Sequence, residues 1–121
     1  MIILFGIIRC GNKVLMGKRQ GLWELPSEIL EEDDTMEEAL ERGFFVRFSL
    51  KPKVRGPLMG MNCPENKDLR FLGFVVNFEK RNMSEFRKNG YKWLNLSKLR
   101  ENRLFPSNVT FVKHLMGVKY S

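Results

Sequence analysis

Histidine is nearly absent from this chain and cysteine is scarce, with one His and two Cys among 121 residues. Cys10 and Cys63 have neither the spacing of a metal-ligand pair nor the density of a disulfide scaffold, so both read as ordinary free thiols. His114, inside Val112-Lys113-His114-Leu115, reads as a helix-surface or boundary residue rather than a catalyst. No Ser/His/Asp or Cys/His set with supporting context occurs, and no glycine-rich phosphate loop. The longest apolar stretches, residues 1–8 and 71–78, fall well short of the ~20 residues of a membrane helix. No basic region precedes the first of them, as a signal peptide requires. Repeats, low-complexity tracts and linkers are missing as well. The expectation is a cytoplasmic protein of one domain, residues 1–121, with no membrane partner.

What is present suits a packed core: 43% apolar residues, ten of them phenylalanine. That is too apolar for intrinsic disorder. The net charge of +7 is unevenly placed. Residues 1–60 carry nine Lys/Arg and nine Asp/Glu, whereas residues 61–121 carry twelve and five. All nine acids of the first half lie between Glu24 and Glu41, a stretch with no Lys or Arg. An acidic segment beside a basic remainder favours contact with nucleic acid, nucleotide or an acidic partner. A solvated basic surface with no such role fits the same composition.

Residues 2–8 read as a buried strand, Gly11-Asn12 as a tight turn and residues 13–18 as the returning strand. Residues 21–25 form a short strand stopped by Pro26, followed by an acidic loop. Thr35-Met36-Glu37-Glu38 is a capping box that starts a helix over 35–48, with Met36, Leu40, Phe44 and Phe48 as its core stripe. Residues 53–61 form a strand placed at an edge by Pro57. Residues 64–67 are a loop, 69–78 a long strand and 91–96 a last strand. Residues 79–90 are polar, either loop or a short helical turn. Ser97 caps a short helix to residue 103, and Ser107 caps a final helix over 108–116, ended by Gly117. Strands, one central helix, more strands and then helices make an α+β pattern with a mixed sheet.

Residues 28–50 resemble the Nudix box, the signature of hydrolases that cleave nucleoside diphosphates linked to another group. The box runs glycine, five residues, glutamate, seven residues, Arg-Glu, an apolar residue and any residue, then Glu-Glu, any residue, Gly and an apolar residue. The spacing fits without a gap. Asp34 falls at the first glutamate, Arg42 at the arginine, Phe44 at the first apolar position and Leu50 at the closing one. Looser matches are Arg19 before Gly21-Leu22-Trp23, and Tyr91-Lys92-Trp93. The resemblance implies a mixed β-sheet sandwiched between α-helices, an alpha-beta-alpha sandwich.

The acidic positions are degenerate. Where the family draws metal-binding glutamates from one helix face, this chain has Gly43, Val46 and Arg47. That face offers no carboxylate, and Arg47 puts a cation where magnesium would sit. The paired glycines that follow the proline are Ser27 and Glu28, and the late glycine is Ser49. The resemblance still implies a structural pair, Asp34 with Arg42, clasping the loop to the helix.

Three functions follow as expectations. The first is a non-catalytic pseudoenzyme that binds nucleotide, RNA or a protein partner, with no catalytic residue, metal or cofactor. Its ligand would meet Arg19, Arg42, Arg47 and the basic second half (Lys80, Arg81, Arg87, Lys88, Lys92, Lys98, Arg100, Arg103), with Trp23 or Trp93 as stacking surface. The second is an active hydrolase using Mg2+ or Mn2+ on relocated ligands Asp34, Glu38 and Glu41, which share helical spacing. The third is a structural subunit in which Val46 and the helix phenylalanines form an apolar interface.

Overall fold

A strand whose successive side chains are all apolar must be covered on both faces, and β1 (Ile2–Ile7) is built this way. Leu4 joins one core while Phe5 and Ile7 join another. The structure, a computed structural model, describes residues 1–78 and 84–117. The elements that follow are β2 (Arg9–Cys10), β3 (Lys13–Arg19), β4 (Leu22–Glu24), β5 (Ser27–Ile29) and α1 (Met36–Phe48). Then come β6 (Lys53–Cys63), β7 (Asn66–Asn77), α2 (Ser84–Lys88), β8 (Tyr91–Asn95) and α3 (Pro106–Gly117).

β1 is flanked by β7 in parallel and β5 antiparallel, and β6 pairs antiparallel with β7, giving the order β5-β1-β7-β6. A second, antiparallel sheet is built on β3, which pairs with β2, β4 and β8. On one side, Leu40, Phe44 and Phe48 of α1 close a core with Leu4, Leu15, Phe74 and Val76. On the other, Phe111, Val112 and Leu115 of α3 pack on Phe5, Ile7, Val14, Met16 and Phe71. The result is an α+β architecture of mixed sheet between helices.

The capping box forms as its spacing requires: the Thr35 hydroxyl accepts from the Glu38 N–H at 3.1 Å, and Glu38 reaches back to the Thr35 N–H. Pro57 lies in β6, the edge strand, between register shifts that relieve the ladder of its missing donor. Elsewhere the chain departs from expectation. Residues 27–29, expected to be loop, are a strand because they pair with Phe5, Leu4 and Ile3 of β1. The 64–67 loop shrinks to a turn at Pro64-Glu65.

Residues 97–103 are two short 3-10 turns, Leu96–Lys98 and Glu101–Arg103, in place of a helix. Ser97 caps nothing there; its N–H and hydroxyl both donate to Asn95 Oδ1. The last helix begins at Pro106, a residue suited to a first turn because it has no N–H to satisfy. Its Asn108 is buried and accepts from the Leu25 N–H at 2.9 Å, which ties α3 to the segment before β5. The 79–83 part of the polar stretch, Lys80 and Arg81 included, lies outside the described residues.

Candidate functional site

The acidic loop before α1 is fastened to the helix by a two-toothed contact. Arg42 Nη1 donates to Asp34 Oδ1 at 2.9 Å, and Nη2 donates to Oδ2. A planar guanidinium matches a carboxylate in this way, and the fork fixes orientation as well as distance. The hydrogen bonds from Arg42 hold the Asp34 carboxyl below the usual carboxylate range.

One turn further along, Arg47 reaches across the space between the two sheets. Its Nη2 donates to the Ser27 carbonyl at 2.8 Å and to Glu28 Oε1 at 2.9 Å. Its Nη1 donates to the Tyr91 hydroxyl at 3.4 Å. Two glycines make room for the partners. A Cβ on Gly43 would lie 2.1 Å from Glu28 Cδ, so the Glu28 carboxylate rests directly over the helix backbone there. A Cβ on Gly17 would lie 2.7 Å from the Tyr91 ring, which lies against β3 for the same reason. Burial pushes the Glu28 carboxyl above its ordinary value, against the opposing pull of Arg47 and then Arg42. Burial likewise raises the Tyr91 phenol, partly offset by Arg47.

This arrangement sits on a scaffold found in solved structures. A Nudix hydrolase from Nitrosomonas europaea superposes with a TM-score of 0.67 at 14% identity, over 99% of this chain and 74% of that one. MutT of the Nudix hydrolase family from methicillin-resistant Staphylococcus aureus gives 0.67 at 18% identity, over 97% of each chain. An ADP-ribose pyrophosphatase from Streptococcus suis gives 0.69 at 11% identity, over 98% of this chain and 93% of that one. The chain has the Nudix fold. No family model and no curated protein matches it by sequence.

Aligned to the Nudix box, the Arg47 network is a reciprocal exchange. The box glycine is Glu28 here, and the first glutamate of the helix is Gly43. The Glu28 carboxylate on β5 lies over Gly43, and Arg47 is its counter-ion. Taken as a single departure from the box, Glu28 carries no functional signal in the sequence. The signal lies in the pair, an acid at a glycine position and a glycine at an acid position. Ser49, at the late glycine position of the box, has a left-handed backbone, with φ of 57°.

The other candidate residues lie apart. Arg19 pairs with Glu24 at 3.2 Å and stacks over the Phe105 ring at 3.9 Å. Trp23 packs on the α3 side, with Lys18 Nζ 5.3 Å from its ring, and its carbonyl accepts from the Phe105 N–H. Trp93 packs on the α1 side, edge-on to Phe86. The two tryptophans therefore occupy opposite faces and do not flank one ligand. Asp34 is engaged by Arg42 and Glu38 by the Thr35 cap. Glu41 lines a groove beside Lys51 and Arg55. Among the described residues, no three His, Cys, Asp or Glu side chains gather where a metal ion could be held. Val46 is 77% exposed and Phe45 55%, whereas Phe44 and Phe48 are buried.

Proposed function

We propose that this protein is a non-catalytic Nudix-fold module that binds a nucleotide or RNA rather than hydrolysing it. The observation that carries the reading is the Arg47 guanidinium bonded to both the Ser27 carbonyl and the Glu28 carboxylate. A divalent cation needs several hard, anionic oxygens. The donor set here does not fit one: its single carboxylate is already neutralised, and its centre carries a fixed positive charge. Near a protein surface two unit charges ~4 Å apart interact by about 4 kcal/mol, so a divalent ion beside Arg47 meets about twice that, repulsively.

The test is turnover of dinucleoside polyphosphates, nucleoside triphosphates, ADP-ribose and capped RNA, with magnesium and with manganese. Asp34→Ala, Glu38→Ala is assayed alongside. The reading expects no turnover. Metal-dependent turnover lost in the double variant would instead establish a hydrolase with ligands in the acidic cluster.

The exposed Phe45 and Val46 on α1 favour a second reading, a subunit that meets a protein partner on this face. Replacing both with serine separates the two, since nucleotide binding is untouched if the face serves a protein.

A further inference from the structure

The cations of this chain are not all engaged alike. Arg19, Arg42, Arg47 and Lys88 each pair with a carboxylate of Glu24, Asp34, Glu28 or Glu85. Three of the cations outside these pairs gather between α2 and β8. A groove of about 530 Å3 is lined there by Lys13, Arg87 and Lys92, with Phe86, Tyr91 and Trp93 as its aromatic walls. That volume is the size of a small-molecule site. None of the three cations meets a carboxylate among the described residues, and no acid lines the groove there.

The sheet register explains why Lys13 and Trp93 meet there. Lys13 and Leu15 point to one face of β3, and their partners on β8 are Asn95 and Trp93, so Lys13 and Trp93 share that face. Lys92 pairs with Met16 and so alternates to the other face of this edge strand, bordering the groove at its rim, while Arg87 comes in from α2. Phe86 is buried and holds the half-buried Trp93 edge-on, with ring centroids 6.2 Å apart.

We propose that the α2–β8 groove binds a nucleotide phosphate, with the phosphates between Lys13, Arg87 and Lys92 and the base against Trp93. Three cations that meet no carboxylate among the described residues attract a multiply charged anion, and a flat aromatic wall adds the stacking that a base offers and inorganic phosphate lacks. The site rests on the binding-module reading and gives it a location separate from the Nudix box. Tyr91 joins the two regions, lining the groove while its hydroxyl accepts from Arg47.

The test is backbone-amide NMR of the isotope-labelled chain, titrated without metal with ADP and separately with a short single-stranded oligouridylate. Saturable shifts at Lys13 and across Arg87 to Trp93 are expected. Larger effects with ADP assign a free nucleotide; tighter, salt-sensitive effects with oligouridylate assign a strand. The exposed double variant Lys13→Ala, Lys92→Ala should weaken binding about tenfold or more, as loss of two charge-assisted contacts implies. Lys67→Ala, Arg70→Ala removes the same charge from β7 and should leave the titration unchanged. Shifts centred on Gly43 and Arg47 instead would overturn the groove and leave the binding-module reading standing. No saturable shift with either probe would also overturn the groove, whereas metal-dependent turnover of the hydrolysis panel would overturn the reading beneath it.

Discussion

Glu28 and Gly43 interlock: the carboxylate of one fills the space that any side chain on the other would need. The contact makes their substitutions non-additive. Gly43→Ala alone must push Glu28 off Arg47, so the helix gain is offset by a damaged ion pair. In a Glu28→Ala background the same change should stabilise by about 1 kcal/mol, the ordinary advantage of alanine over glycine inside a helix. A urea double-mutant cycle reads the difference, and additive values would refute the interlock.

Arg47 holds α1 to both sheets through Ser27, Glu28 and Tyr91. Arg47→Ala leaves a half-buried carboxylate without its counter-ion and should cost about 1–3 kcal/mol. Arg47→Lys should recover only part of that, since an ammonium cannot reproduce the fork that spans a carbonyl, a carboxylate and a hydroxyl. Equal urea midpoints for Arg47→Lys and the unaltered chain would mean that charge alone matters.

Two carboxyls set opposite pH dependences. Glu28 is raised above its ordinary value of 4.5, chiefly by burial. The folded state therefore holds the Glu28 proton more tightly than the unfolded one, and stability falls as pH rises from about 4.5 through the raised value. Asp34 is lowered from 3.8 by its hydrogen bonds from Arg42, so its contribution is present above 3.8 and is lost as pH falls through the lowered value. Denaturation across this pH range should show Glu28→Gln lacking the upper decline and Asp34→Asn lacking the lower one. Unchanged profiles in both variants would contradict these assignments.

Ser49 ends α1 in the left-handed region at φ of 57°, donating its N–H to the Phe45 carbonyl at 2.8 Å. A side chain there costs roughly 1–2 kcal/mol that glycine avoids. Ser49→Gly should stabilise by about 1 kcal/mol in thermal or urea melts. No gain would show that the serine is held by contacts that compensate its strain.

Local signals were legible in the sequence. The capping box and the four-residue recurrence of Leu40, Phe44 and Phe48 sufficed to place α1 and its buried face, and the box spacing sufficed to suggest the scaffold. What escaped depends on non-local pairing. Ser27-Glu28-Ile29 is too short for alternation to register, and it is a strand only because β1 lies beside it. Tyr91 meets Arg47 only because β8 pairs with β3 and a glycine at 17 admits its ring. The 97–103 segment carries a reasonable helix cap in Ser97, yet Asn95 takes both its donors.

On the proposed reading Arg47 stands where a metal ion would, and manganese-induced broadening of backbone-amide signals tests this most directly. Mn2+ titrated into the isotope-labelled chain should leave Ser27, Glu28, Gly43 and Arg47 without saturable, site-specific broadening. Saturable broadening centred on Gly43 and Arg47 would mean that the guanidinium yields to a metal, and the account of a closed box would be wrong.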